Sequence, residues 1–167
     1  DLVQFLNGVT LHDNPSIEFP NESNLTIREG KDRKTKYFFA DPSVIVSPPE
    51  KSIQLPTEDV CFKLDSTQLQ SLLKASAVYQ LPDLVAVGEA GVVKLVVRDK
   101  KNDTSNEYSI NVGETDQEFN FNFKVENIKI LPGTYEVVIS QKLLARFVNT
   151  SFDLTYFIAL EPDSTFG

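Results

Sequence analysis

The chain is short of the residues that most enzyme and metal chemistry uses. Its 167 residues include one cysteine, one histidine, no methionine and no tryptophan. Cys61 has no partner for an internal disulfide, and with His12 alone it cannot build a zinc site of the usual kind. The two lie far apart in sequence, and no motif joins them as a nucleophile and base. No uncharged apolar run approaches the roughly 18 residues of a membrane-spanning helix. The N-terminus shows no charged-then-apolar secretory pattern, so a protein that is neither secreted nor membrane-inserted is expected. Positive charge is also scarce: 16 basic residues stand against 24 acidic ones, a net charge of −8. That balance argues against a broadly basic nucleic-acid binder, although a ring acidic outside and basic inside would satisfy it.

What is present is a normal apolar content and a period of two. Hydrophobic residues make up 41% of the chain and charged residues 24%, the composition of a cored protein. Glu118-Phe119-Asn120-Phe121-Asn122-Phe123-Lys124-Val125 alternates strictly, with apolar side chains on one face and polar ones on the other. Phe152, Leu154, Tyr156, Ile158 and Leu160 predict a second such face; Tyr108, Ile110 and Val112 a third; Val60, Phe62 and Leu64 a fourth. Strands over 84–88 and 92–98 flank Gly88-Glu89-Ala90-Gly91, a sequence suited to a tight hairpin. Further strands are expected over 17–19, 24–28, 34–40, 134–140 and 143–150.

Helices are few. Asp65-Ser66-Thr67-Gln68 has the form of a capping box, followed by Leu69, Leu72, Leu73 and Ser76 at helical spacing. Asp1-Leu2-Val3-Gln4 repeats the cap, with Leu2, Phe5, Leu6 and Val9 as its stripe. A short turn fits 126–131, stopped by Pro132-Gly133. In order, residues 58–112 and 118–160 each read strand, helix, three strands. Residues 1–40 read helix and three strands. The class is α+β, built of βαβββ units with mostly antiparallel sheets and short helices on one face. The repeat leads to the expectation that upstream sequence is lacking. Residues 41–56, with four prolines, read as an extended connector. The expected organisation is 1–40 as the back half of a first domain, 41–56 as connector and 57–167 as a complete second domain.

Several features have plain explanations. Lys31, Arg33, Lys34 and Lys36 fit a hairpin and wet edge strand. Asp99 to Glu107 matches a calcium loop poorly, lacking the glycine that such a loop needs, and reads as a hairpin turn. The Asn-x-Ser/Thr triplets at Asn21, Asn24, Asn102 and Asn149 read as turn chemistry. Tyr37, Phe38 and Phe39 cannot all face one side of a strand, so at least one points away from its own core. Two other function classes compete on the residues alone. One is a non-enzymatic β-rich virion or carbohydrate-binding module. The other is a carboxylate-based hydrolase, for which no acidic pair is marked.

Residues 65–74, Asn120-Phe121-Asn122-Phe123, the stretch Ile128-Lys129-Ile130-Leu131-Pro132-Gly133-Thr134-Tyr135 and the tail Ile158-Ala159-Leu160-Glu161-Pro162-Asp163-Ser164-Thr165 together resemble the DNA sliding clamps, in particular those of T-even-type bacteriophages. The resemblance implies the DNA-clamp fold and a homotrimeric ring that encircles duplex DNA without sequence preference. It also implies an ATP-dependent clamp loader, and a replicative polymerase tethered by its C-terminal peptide. No catalysis, cofactor or metal is implied, and the site of action would be the cytoplasm of an infected host cell. Helices would line the hole, which makes Gln70, Lys74 and Lys129 the DNA-facing candidates. The first helix carries Gln4, Asn7 and Gly8 where lysines are expected. Tyr37, Phe38 and Phe39 would meet Tyr108 and Ile110 of a neighbouring subunit. Val44, Ile45, Val46 and Ile53 of the connector, with Leu160 and Pro162, would form the partner-peptide pocket.

Overall fold

A computed structural model describes residues 2–46 and 51–167. The chain divides into two compact units, 1–51 and 52–167. The first holds α1 (Leu2–Val9), β1 (Ser16–Asn21), β2 (Asn24–Glu29) and β3 (Arg33–Phe38). The second holds β4 (Val60–Leu64), α2 (Ser66–Tyr79), β5 (Asp83–Glu89), β6 (Val92–Arg98), β7 (Tyr108–Glu114), β8 (Phe119–Lys124), β9 (Tyr135–Ser140), β10 (Leu144–Asn149), β11 (Thr155–Ala159) and β12 (Thr165–Phe166). Short 3-10 turns occupy Pro42–Val44 and Val125–Asn127. Among the described residues no helix is long and apolar enough to cross a membrane.

All pairing between strands is antiparallel, in three sheets ordered β1-β2-β3, β11-β10-β9-β4 and β12-β8-β5-β6-β7. The two βαβββ repeats of the second unit are interleaved. β4 opens the first repeat yet pairs with β9 of the second, Val60 opposite Ile139 and Leu64 opposite Tyr135. β8 opens the second repeat yet pairs with β5 of the first. Neither repeat completes a sheet alone, so the two fold as one body.

The core of that body takes one face from each sheet and the inner face of α2. Leu69, Leu72 and Ala75 of α2 meet Leu95 and Val97 of β6, Phe121 and Phe123 of β8, and Tyr135, Val137 and Ile139 of β9. Spacings of three along α2 put these side chains on one face, as the sequence predicts. The hairpin between β5 and β6 turns on Ala90 and Gly91, with φ of 51° and 84°. Both signs suit the twist of the strands, but Ala90 bears a Cβ in the left-handed region. Gly88 answers a different need, since a Cβ there would lie 2.3 Å from Phe119 Cε1 and 2.5 Å from the Gln117 carbonyl oxygen.

The structure departs from the alternating pattern at three places. Phe152 is not part of a strand and is 64% exposed. The Asn149 side-chain oxygen accepts the backbone N–H of Ser151 and Phe152 at 2.9 and 3.0 Å, which ends β10 in a turn. Asn122 sits on the polar side of β8 yet is buried, because the tail after Ala159 lies across it. The connector is not extended throughout: Asp41 accepts the Ser43 N–H at 2.9 Å and caps a 3-10 turn. Pro48 and Pro49 lie outside the described residues, as does the Asp1 cap. The turn reading of the asparagines at 21 and 102 is met by their side chains, which accept backbone N–H groups of Ser23 and Thr104 at 3.0 and 3.1 Å. Asn24 instead lies buried in β2.

Candidate nucleic-acid and partner interface

The helix that would carry a DNA face is well specified locally. Asp65 accepts the Gln68 N–H at 2.8 Å and Gln68 accepts the Asp65 N–H at 3.0 Å, closing the capping box. At the far end Gln80 takes a left-handed conformation, and the Ser76 hydroxyl donates to the Leu81 carbonyl at 2.7 Å. Leu69, Leu72 and Ala75 are buried, so Gln70, Lys74, Ala77 and Val78 are left on the outside. Gln70 donates to the Ser66 hydroxyl at 3.3 Å. The turn over 125–127 places Ile128 in the core and Lys129 in solvent. Ser76, Ala77 and Gln80 of α2 share one cleft with Val125 and Glu126, so α2 and this turn occupy the same side of the unit. Lys74 and Lys129 form no ion pair among the described residues, which leaves both ammonium groups free for an external anion. Val78 and Tyr79 are 63% and 50% exposed, so Ala77 and Val78 follow Lys74 on the outer face of α2 without adding charge. With Ser71, Lys74 and Tyr108, Val78 and Tyr79 line a shallow groove between α2 and β7.

Two edge strands carry the predicted subunit contacts. In β3, Thr35 and Tyr37 are half-buried, Tyr37 edge-on to Phe5 of α1 at 5.5 Å, and Thr35 bonded to His12 Nε2 at 3.0 Å. Lys36 and Phe38 point the other way, the ammonium 4.7 Å from the ring centre. Phe38 is 63% exposed and Phe39 40%. In β7, Tyr108 and Ile110 pack against the core, while Ser109 and Asn111 are exposed. Within β3, Tyr37 faces α1 and Phe38 lies on the opposite face of the strand, because side chains alternate.

The partner-peptide candidates also separate. Val44, Ile45 and Val46 in the first unit are exposed, as is Ile53 in the second. Pro162 is exposed, but Leu160 is only 6% exposed and belongs to the core. Leu160 thus holds the tail in place and does not itself face a ligand; its N–H donates to the Leu143 carbonyl at 3.0 Å. Nearby charges are mutually satisfied. The Lys100 ammonium holds the Asp163 carboxyl below its ordinary value, and Asp83 holds the Lys124 ammonium above its own. No group of three or more potential metal ligands occurs among the described residues.

This architecture and sequence have clear relatives. Residues 61–162 match the family described as gp45 sliding clamp, C terminal. A sliding clamp of Vibrio phage KVP40 is 34% identical over 96% of this chain and 74% of its own length. Sliding clamps of Escherichia phage RB69 and Enterobacteria phage T4 are 33% and 30% identical, each over 99% of this chain and 75% of their own. A solved structure described as the C-terminal region of FEN-1 bound to A. fulgidus PCNA shares the fold. Its TM-score is 0.58 at 14% identity, over 90% of this chain and 65% of that one. An interleaved pair of βαβββ repeats, helices gathered on one side, and these relatives lead to one conclusion: the chain belongs to the gp45-type family of bacteriophage DNA sliding clamps, the processivity factors of DNA replication.

Proposed function

We propose that duplex DNA passes along the side of the second unit that carries α2, with Lys74 and Lys129 as sequence-independent phosphate contacts and Gln70 as a neutral neighbour. The observation that supports this is that, among the described residues, no carboxylate pairs with either ammonium group, in a chain where acidic residues outnumber basic ones. Two weak contacts suit a clamp that slides, since each phosphate neutralised adds a small, salt-sensitive increment. The ring would be a homotrimer, closed by pairing β3 of one subunit with β7 of the next and loaded by an ATP-dependent loader. It would act in the cytoplasm of the infected cell as a scaffold that performs no chemistry. A C-terminal peptide of the polymerase would dock on exposed apolar residues of the second unit, with Ile53 and the tail around Pro162 as the candidates.

The test is a double variant of the full-length protein, Lys74→Ala with Lys129→Ala. Processive synthesis should fall modestly with fold and assembly intact, and the salt slope of DNA binding should drop by about one per lysine removed. Synthesis at the unmodified rate over a range of salt concentrations would refute the assignment of the DNA face.

A further inference from the structure

The tail that follows β11 is held at its ends by apolar contacts, Leu160 in the core and Phe166 stacked on Phe119 and Phe121, and between them by polar ones. After Leu160 the chain crosses to the edge of the other sheet. There the Glu161 N–H donates to the Asn122 carbonyl at 2.8 Å, and the Asn122 N–H donates to the Ser164 hydroxyl at 2.9 Å. Pro162 and Asp163 between them are exposed. Beneath this segment lies Asp83, 1% exposed at the start of β5. Its Oδ1 receives the Lys124 ammonium, and its Oδ2 accepts the backbone N–H of Lys100 at 3.1 Å. The Lys100 side chain, 16% exposed, then reaches Asp163, with Nζ 2.7 Å from Oδ2. Asp163 also accepts the Asn122 side-chain amide at 3.3 Å.

A buried carboxylate needs compensating donors, so Asp83 fixes the start of the 99–107 hairpin loop as firmly as it fixes Lys124. That loop in turn carries the lysine that grips the tail. We propose that the Asp83–Lys100–Asp163 relay is a positioning device for partner binding: it sets the path of the tail and thereby presents Pro162 to an incoming peptide. The inference rests on the reading that partner peptides dock at this tail. Asp83 and Lys100 touch no partner; they act through Asp163. Without the relay the exposed turn at Pro162 and Asp163 loses its side-chain anchor, and the peptide's affinity bears the entropy of ordering that turn.

Lys100 and Asp163 are the residues to vary, because removing Asp83 would strip two half-buried donors of their acceptor. In the full-length protein, Lys100→Ala should speed amide exchange at Ser164 and Gly167, whose N–H groups donate to the Glu161 and Glu118 carbonyls at 3.1 and 3.0 Å. Exchange within β5 should stay unchanged. Calorimetric titration with a synthetic peptide of the polymerase's C-terminal residues should show binding weakened about five- to tenfold. The charge swap Lys100→Asp with Asp163→Lys should restore both readouts toward the unmodified protein. Faster tail exchange with unaltered peptide affinity would overturn the relay's role while leaving the docking reading standing, as would unchanged exchange. An unmodified protein that fails to bind the peptide would overturn the docking reading and the relay with it.

Discussion

The two units share an element order, one helix followed by three antiparallel strands, yet differ in how much they bury. In the second unit α2 drives Leu69, Leu72 and Ala75 into a core closed by two sheets. In the first unit α1 has no buried residue, every residue of β1 is exposed, and Leu25 and Ile27 of β2 are the buried apolar side chains. Leu2, Leu6, Ile17 and Phe19 are 70%, 51%, 42% and 70% exposed. The difference is one of layers. A helix on a three-stranded sheet has one apolar contact surface, whereas the exchange of β4 and β8 between repeats gives each sheet of the second unit a facing layer. The chain spans about three-quarters of the length of the curated relatives it matches, and over that span the first unit has one sheet and the second has two.

Breaking the core of the better-packed unit should have the largest effect. Leu72→Ala should cost about 2–5 kcal/mol in denaturant unfolding, while Leu6→Ala in α1 of this chain should cost under about 1 kcal/mol. Equal losses would erase the distinction between the units. Association is the next largest effect. Phe38→Ala in the full-length protein should leave unfolding unchanged and weaken the proposed homotrimer by about 1.5–3 kcal/mol, read as a raised dissociation constant. Tyr37→Ala should instead destabilise the first unit, because Tyr37 packs on Phe5. A trimer unaffected by loss of Phe38 would move the subunit contact away from β3.

A smaller effect, of opposite sign, is expected at the β5–β6 turn. Ala90→Gly removes a Cβ held at φ 51° and should stabilise the second unit by about 0.5–1 kcal/mol in the same unfolding measurement. The smallest effect concerns acid. Burial raises the pKa of Asp59, but the Thr57 hydroxyl and the Gln141 backbone and side-chain amides outweigh it and hold the carboxyl below its ordinary 3.8. A depressed carboxylate adds stability above its unfolded pKa and loses it as pH falls through the folded one. Asp59→Asn should therefore flatten the acid limb of the stability profile below about pH 4. An unaltered acid limb would show that these bonds to the opening of the second unit add nothing.

Local chemistry was legible where a residue answers to its near neighbours. The capping box of α2, the turn at 90–91, the phenylalanine face of β8 and the asparagine turns at 21 and 102 all follow from sequence spacing, because their partners lie within a few residues. Phe152 misled, since alternation continued on paper past the turn that Asn149 imposes. The candidate site was legible in part: Lys74 and Lys129 stand out as exposed once the buried faces of α2 and of the turn before Ile128 are read. Leu160 reads as a core residue from the alternation that runs through Tyr156 and Ile158, and the structure buries it there, which removes it from the exposed peptide candidates. The interleaving of β4 and β8, the burial of Asn122 under the tail and the relay from Asp83 through Lys100 to Asp163 join residues from 17 to 79 positions apart. Spacing along the chain carries no information about such pairs. They are decided where sheets complete one another and buried polar groups must find partners, and only the tertiary structure shows which partners those are.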